Sequence, residues 1–280
     1  MVASDPPSLD DPQRVAVVTG ASSGIGAATA LALAATGWTV VAAARRLDRI
    51  DDLVHQSERI GGRGSIVAAA LDVRETSSVE ALADRVAREF GACHLLVCNA
   101  GIGGGSLNSR EDLATALQIL DVNLSGTVRC CAVFADLLER SAPSQVIMIA
   151  SVAGKLGLGP AAYVASKFGM VGLAEALGAA WRHRGIQVTQ LNPGFVHTEG
   201  FPQSWADGTP AARIVVAPEV VAHAVLRAVR RRSVEVTTPR WYRAFVVLRH
   251  VAPPVWRGIS RLADGPRRRS EALRARRTSD

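Results

Sequence analysis

The chain has 280 residues, 48% of them apolar, and a formal net charge of +7. That composition can build a large core, and no apolar run reaches the roughly 18 residues that a membrane span needs. The charge sits at one end. Residues 240–280 carry eleven arginines against Asp264, Glu271 and Asp280, while the rest is close to neutral, which argues against nucleic-acid binding by the body of the chain.

The first stretch, Met1–Asp11, is acidic and proline-rich. It lacks the basic and apolar regions of a signal peptide and reads as a disordered lead over residues 1–12. Arg14–Val18 is the first buried strand. The turn Thr19-Gly20-Ala21-Ser22-Ser23-Gly24-Ile25-Gly26 follows, then an Ala-rich helical run to Thr36. Strand, glycine turn and helix form a phosphate-binding unit, because glycines let backbone approach a pyrophosphate and the helix start supplies N–H donors. Trp38–Ala44 is the second strand. An acid at its end would favour NAD; here Arg45 and Arg46 stand instead. Arginines there can pair with a 2′-phosphate, which points to NADP(H). The plainer reading is a solvated pair opening the next helix.

Leu47–Ile60 reads as helix and Ser65–Leu71 as strand, ending at Asp72-Val73. Thr76–Phe90 is an amphipathic helix. His94–Cys98 is the fourth strand, followed by Asn99-Ala100-Gly101. Ser109 to Arg140 is mostly helical and carries Asn123. Gln145–Ala150 is the fifth strand, with Ser151 just past its end, where open α/β sheets place their ligands. Pro160–His183 is helical and holds Tyr163-Val164-Ala165-Ser166-Lys167. Ile186–Leu191 is the sixth strand, leading into Asn192-Pro193-Gly194. The stretch after Gly194 has no clear period and reads as a lid over about residues 195–216. Pro218–Arg232 is a helix and Ser233–Thr237 a seventh strand. Strands alternating with helices predict one α/β domain over residues 13–239: a doubly wound, Rossmann-like parallel sheet of about seven strands, covered by helices on both faces.

Tyr163 and Lys167 are four residues apart and share one helix face. A phenol normally titrates near pH 10, and a neighbouring ammonium is expected to lower that value, so that the Tyr can exchange protons with a carbonyl or alcohol oxygen. Only two of the 32 Lys and Arg residues are lysines, Lys155 and Lys167. Lysine can be tuned where arginine cannot. The bland alternative is a solvated Lys beside a packing Tyr. Cys93, Cys98, Cys130 and Cys131 lie in apolar surroundings and read as reduced core residues of a cytoplasmic protein. No His/Cys spacing suggests a metal.

Taken in order, these motifs resemble the short-chain dehydrogenase/reductase family in its single-domain, NADP-preferring form. They are the TGxxxGxG turn, Asp72-Val73, Asn99-Ala100-Gly101, Asn123, Ser151, Tyr163 with Lys167, and Pro193-Gly194 with Thr198. The likeness covers about residues 14–200 in motif and extends to Thr237 in layout. It implies a hydride-transferring oxidoreductase acting on a carbonyl or secondary alcohol. By that resemblance Tyr163 is the general acid/base, Lys167 lowers its pKa and holds the nicotinamide ribose, and Ser151 binds the carbonyl oxygen. Asn123 completes a water-linked relay by opening its helix. The implied cofactor residues are Gly20, Ser22, Ser23, Gly24, Ile25, Gly26, Arg45, Arg46, Asp72, Val73, Asn99, Ala100, Gly101, Tyr163, Lys167, Pro193, Gly194, Val196 and Thr198. Phe195, Phe201 and Trp205 join Ser151 and Tyr163 as candidate substrate contacts, which suggests an apolar substrate such as a lipid-like ketone, a 3-oxoacyl group or a steroid. The family form also implies a homo-oligomer, a dimer or tetramer.

Residues 240–264 exceed that pattern. Trp241, Ala244, Phe245, Leu248 and Val251 recur at helical spacing, Pro253-Pro254 breaks the helix, and Trp256, Ile259 and Leu262 form a second stripe. Two readings stand: packing over the cleft or against another subunit, or a basic amphipathic surface lying on a membrane. Residues 265–280 are expected to be a disordered basic tail, with no nucleic-acid partner. Two rival functions stay open, a catalytically silent nucleotide-binding protein and a membrane-recruited adaptor.

Overall fold

Near-continuous runs of Val, Ala, Ile and Leu belong in strands buried on both faces, and the computed structural model, which describes residues 14–260 apart from 202, 204–207 and 209, places them so. The strands are β1 Val15–Thr19, β2 Thr39–Ala44, β3 Ser65–Ala70, β4 Leu95–Cys98, β5 Ser144–Ile149, β6 Ile186–Pro193 and β7 Glu235–Thr238. Each lies within two residues of its sequence-predicted span. They form one parallel sheet in the order β3-β2-β1-β4-β5-β6-β7. Val17 stands opposite Val41 on one side and Leu96 on the other.

The two-residue period of the strands sorts their side chains into two cores. Val15, Val17, Val41 and Leu96 face α3 (Thr76–Phe90), α5 (Gly126–Arg140) and α7 (Ala161–Trp181). Ala16, Val18, Val40 and Leu95 face α1 (Gly24–Ala35), α2 (Leu47–Ile60) and α8 (Pro218–Arg231). The strand order reverses between β1 and β4, so a crevice opens at the carboxyl ends of these strands. All four cysteines are buried and free.

One short element departs from the sequence reading. A four-residue helix, α6 (Ala153–Leu156), follows Ser151 where no element was expected. Between α4 (Leu113–Leu120) and α5 the chain widens into a π-helical turn over Asp121–Ser125, which places Asn123 at zero exposure. Such widened turns often accompany functional sites.

The extension continues as α9 (Tyr242–Val251), breaks at Ala252 and resumes as helix over 253–260. Its inward face differs from the expected stripe. Tyr242 and Trp256 are buried against Val152 and Leu156, with Val246, Leu248 and Phe195 packed around them. Trp241, Ala244, Phe245 and Val251 are exposed. The reason is that Tyr242 is amphipathic: its ring fills the core while its hydroxyl accepts from the Phe195 N–H at 3.4 Å. The Arg249 guanidinium donates to the Lys155 carbonyl and lies 4.7 Å from the Phe168 ring centre. The expected lead over 1–12, the tail over 265–280, Leu262 and Trp205 lie outside the described residues. No helix among the described residues is long and apolar enough to cross a membrane.

Candidate active site

The carboxyl ends of the strands surround a cleft of about 670 Å³. At one end β1 delivers the glycine turn. Gly20 holds φ +67, and a side chain at Gly26 would come within 2.3 Å of the Gly20 carbonyl oxygen. The turn therefore closes tightly enough to bring the start of α1 to the cleft. Ser23 at that helix start makes no capping hydrogen bond, leaving N–H groups available to an anion. Asn99 braces the turn: its side-chain amide donates to the carbonyls of Thr19 at 2.9 Å and Gly20 at 3.1 Å. Thr19 Oγ1 in turn accepts from the backbone N–H groups of Asn99 and Ala100.

Beyond the end of β2, the Arg46 guanidinium donates to the Ser22 and Ser23 hydroxyls, each at 3.2 Å, and to Glu199 at 2.7 Å. Arg45 makes no side-chain hydrogen bond or ion pair among the described residues, and its charge contributes to holding Asp72 ionised. Asp72 is gripped chiefly by Arg74, whose guanidinium reaches both carboxylate oxygens, and its pKa is pushed down to about 2.

The other end holds the proton-transfer candidates. Ser151 is buried just past β5, and its hydroxyl accepts from the Ala153 N–H at 3.1 Å. It also sits close enough to Tyr163 to oppose the rise in that phenol's pKa. Tyr163 and Lys167 both line the cleft from α7. The Lys167 ammonium lies 5.7 Å from the Tyr163 ring centre, and donates to the Ile149 carbonyl at 2.8 Å and to Met170 Sδ at 3.5 Å. Spacing along α7 implies that this ammonium lowers the Tyr163 phenol. In the structure burial dominates and pushes the phenol up, opposed by the Ser151 hydroxyl. Burial also pushes Lys167 down, to about 8. Both shifts have one cause, since a low-dielectric site disfavours whichever form is charged.

Asn123 does not line the cleft. It accepts from the Ile102 N–H at 2.8 Å and donates to the Ile102 carbonyl at 3.0 Å and to Ser166 Oγ at 3.1 Å. It ties the loop after β4 to the helix of Tyr163 and Lys167. Gly26 is likewise off the cleft wall, packed under Gly20 and Asn99. Every other described candidate named from the sequence lines the cleft. Phe201 lies over Tyr163 with ring centres 5.4 Å apart. Thr198 rests on Gly24, where an added side chain would meet it at 2.9 Å.

Sequence reasoning missed Glu199, Arg74 and Tyr242, which also line the cleft. For Arg74 a signal existed, since it lies two residues from Asp72. Glu199 and Tyr242 carry no local signal, as their partners are 153 and 47 positions away.

The chain is similar to known proteins along most of this frame. The family model described as short chain dehydrogenase matches residues 14–208. A D-threitol dehydrogenase of Mycolicibacterium smegmatis is 36% identical over 226 residues, covering 77% of this chain and 85% of that protein. A short chain dehydrogenase/reductase from Burkholderia phymatum, solved in complex with NAD, superposes with a TM-score of 0.74 at 28% identity, over 86% of this chain and 94% of that one. An alcohol dehydrogenase from Thermococcus sibiricus, complexed with 5-hydroxy-NADP, gives a TM-score of 0.67 at 29% identity, over 80% and 94%.

Proposed function

The chain belongs to the short-chain dehydrogenase/reductase family of oxidoreductases, and from that premise we propose that it uses NADP(H) to interconvert an apolar ketone and its secondary alcohol. One observation carries this reading: Ser151, Tyr163 and Lys167 meet at one end of a cleft whose other end holds an uncapped helix start and two arginines. Such a cleft fits a dinucleotide, with its anionic pyrophosphate on the helix start.

The glycine turn and the first turn of α1 would hold the pyrophosphate, Asp72 and Val73 the adenine, and Arg45 and Arg46 the 2′-phosphate. Lys167 would hold the nicotinamide ribose. The nicotinamide, when bound, supplies or takes the hydride. Ser151 would orient the carbonyl oxygen and stabilise the charge that develops on it. Tyr163 would give that oxygen its proton in reduction and take it back in oxidation. A protonated Lys167 beside the phenol would counter the upward push that burial gives it, whereas a nearby anionic phosphate would add to that push. Asn123 would act as a positioning residue, holding the π-helical turn, the loop after β4 and α7 in register. Val152, Leu156, Phe195, Phe201 and Tyr242 give the substrate end an apolar wall, which supports a lipid-like, 3-oxoacyl or steroid-like substrate.

Spectrophotometric consumption of NADPH against a panel of medium-chain ketones, 3-oxoacyl thioesters and ketosteroids tests the reading. Turnover of at least one apolar class is the expected result. Tight NADPH binding without turnover of any would favour the silent nucleotide-binding alternative.

The exposed Leu113, Leu117 and Val128 on α4 and α5 support the homo-oligomer expected of the family form. Buried free thiols suit a reducing, cytoplasmic setting. A membrane-surface role for the extension has one supporting observation. Trp241, Phe245, Val251 and Val255 are exposed beside Arg240, Arg243 and Arg257, a pairing suited to anionic lipid. Co-sedimentation with phosphatidylglycerol vesicles, compared with the Phe245→Ser/Val251→Ser variant, separates this from a purely packing role.

A further inference from the structure

The lid bears a carboxylate that occupies a cofactor-binding candidate. Glu199 follows Thr198, which sits on Gly24, and precedes Phe201, which lies over Tyr163, with Gly200 between. The segment thus spans the cleft from the glycine turn to the proton-transfer end. Its Glu199 Oε1 accepts from Arg46 Nη1 at 2.7 Å, and Oε2 lies 3.5 Å from Arg46 Nη2. The same Nη2 donates to the Ser22 and Ser23 hydroxyls. A fork-shaped guanidinium presenting parallel N–H donors suits a carboxylate and a phosphate monoester equally. Here Arg46, two serine hydroxyls and the carboxylate gather at the end of β2, where an adenosine 2′-substituent lies in dinucleotide folds.

We propose that Glu199 is a stand-in for the 2′-phosphate on Arg46, and therefore an internal competitor that sets how strongly the protein prefers NADP(H) over NAD(H). The inference rests on the reading of Arg45 and Arg46 as the 2′-phosphate site. A dinucleotide with a free 2′-hydroxyl leaves the Arg46–Glu199 pair in place. A 2′-phosphate must either displace Glu199 from Arg46 or bind beside its negative charge, and either outcome lowers the phosphorylated cofactor's advantage. The pair is half-exposed on both sides, so its competition is modest and screened by salt.

The test uses the full chain and fragments that carry only the adenosine end, so that no turnover is needed. Isothermal titration compares adenosine 2′,5′-bisphosphate with 5′-AMP in the wild type, Glu199→Gln, Arg45→Ala and Arg46→Ala, at about 20 mM and 500 mM salt. The expected result for Glu199→Gln is bisphosphate binding about three- to tenfold tighter at low salt, AMP binding within about twofold of wild type, and a smaller gain at high salt. Equal changes for the two fragments in Glu199→Gln, or no change in either, overturn the proposal and leave Glu199 as a lid contact only. If the arginine variants lose bisphosphate and AMP binding equally, the 2′-phosphate reading itself fails. If they discriminate while Glu199→Gln does not, only the competitor role fails.

Discussion

Replacing Lys167 with Met should abolish activity and yet stabilise the fold. Lys167 is 4% exposed, and among the described residues its ammonium donates to the Ile149 carbonyl and the Met170 sulfur. Its pKa is pushed from 10.5 down to about 8 by burial. At about 1.4 kcal/mol per pH unit, holding the charge at neutral pH costs the native state on the order of 3 kcal/mol. Methionine keeps the length and packing and removes the charge. It also leaves the Ile149 carbonyl without that donor, which costs about 1 kcal/mol. The net expectation is a gain of about 1–3 kcal/mol at pH 7, or several degrees in Tm. The pH dependence has a fixed sign. Between pH 8 and 10.5 the unfolded chain binds the proton that native Lys167 has released, so wild-type stability rises through that window relative to the variant. The gain of Lys167→Met should therefore be full below pH 8 and shrink toward pH 10.5. Urea denaturation of both proteins at pH 7 and pH 10, followed by far-UV circular dichroism, reads this directly. A variant less stable than wild type by the same amount at both pH values would refute the reasoning, because the ammonium would then be a net stabilising group.

Arg45→Ala should weaken NADPH binding at least about tenfold more than NADH binding, as a lost charge-assisted contact predicts; equal loss for both, measured by fluorescence titration, would remove the argument from that position. Gly194→Ala should destabilise by about 1–3 kcal/mol, since its side chain would lie 2.1 Å from the Tyr242 ring. Adding Tyr242→Ala should recover part of that loss in thermal melts, and a double variant no better than the sum of its parts would deny the contact. Asn123→Ala removes three hydrogen bonds at a site of zero exposure. A loss of about 2–4 kcal/mol is expected, together with a fall in kcat greater than any change in cofactor affinity. A fall confined to affinity would place Asn123 elsewhere in the mechanism.

Much of the frame could be read from residues alone because its signals are local. Apolar runs such as Val15–Thr19 must be strands buried on both sides. A glycine turn must precede α1, and Tyr163 and Lys167 must share a face of α7. What escaped depends on contacts distant in sequence. α6 spans four residues, too few to show a period. The inward face of α9 is set by Tyr242, whose ring packs on Val152 and Leu156 while its hydroxyl accepts from the distant Phe195 amide, and helical spacing alone does not mark that contact. The Arg46–Glu199 pair joins residues 153 positions apart. The direction of the Tyr163 shift was misjudged for a related reason: a nearby charge can be read from spacing, whereas desolvation depends on everything packed around the group.

The most direct measurement compares wild type with Tyr163→Phe in NADPH-dependent reduction of whichever apolar ketone the wild type turns over best, with NADPH binding titrated in parallel. Proton donation by Tyr163 predicts that the variant binds NADPH within about threefold of wild type and loses at least about a hundredfold in kcat. A variant that keeps wild-type turnover with its cofactor affinity intact would contradict the account.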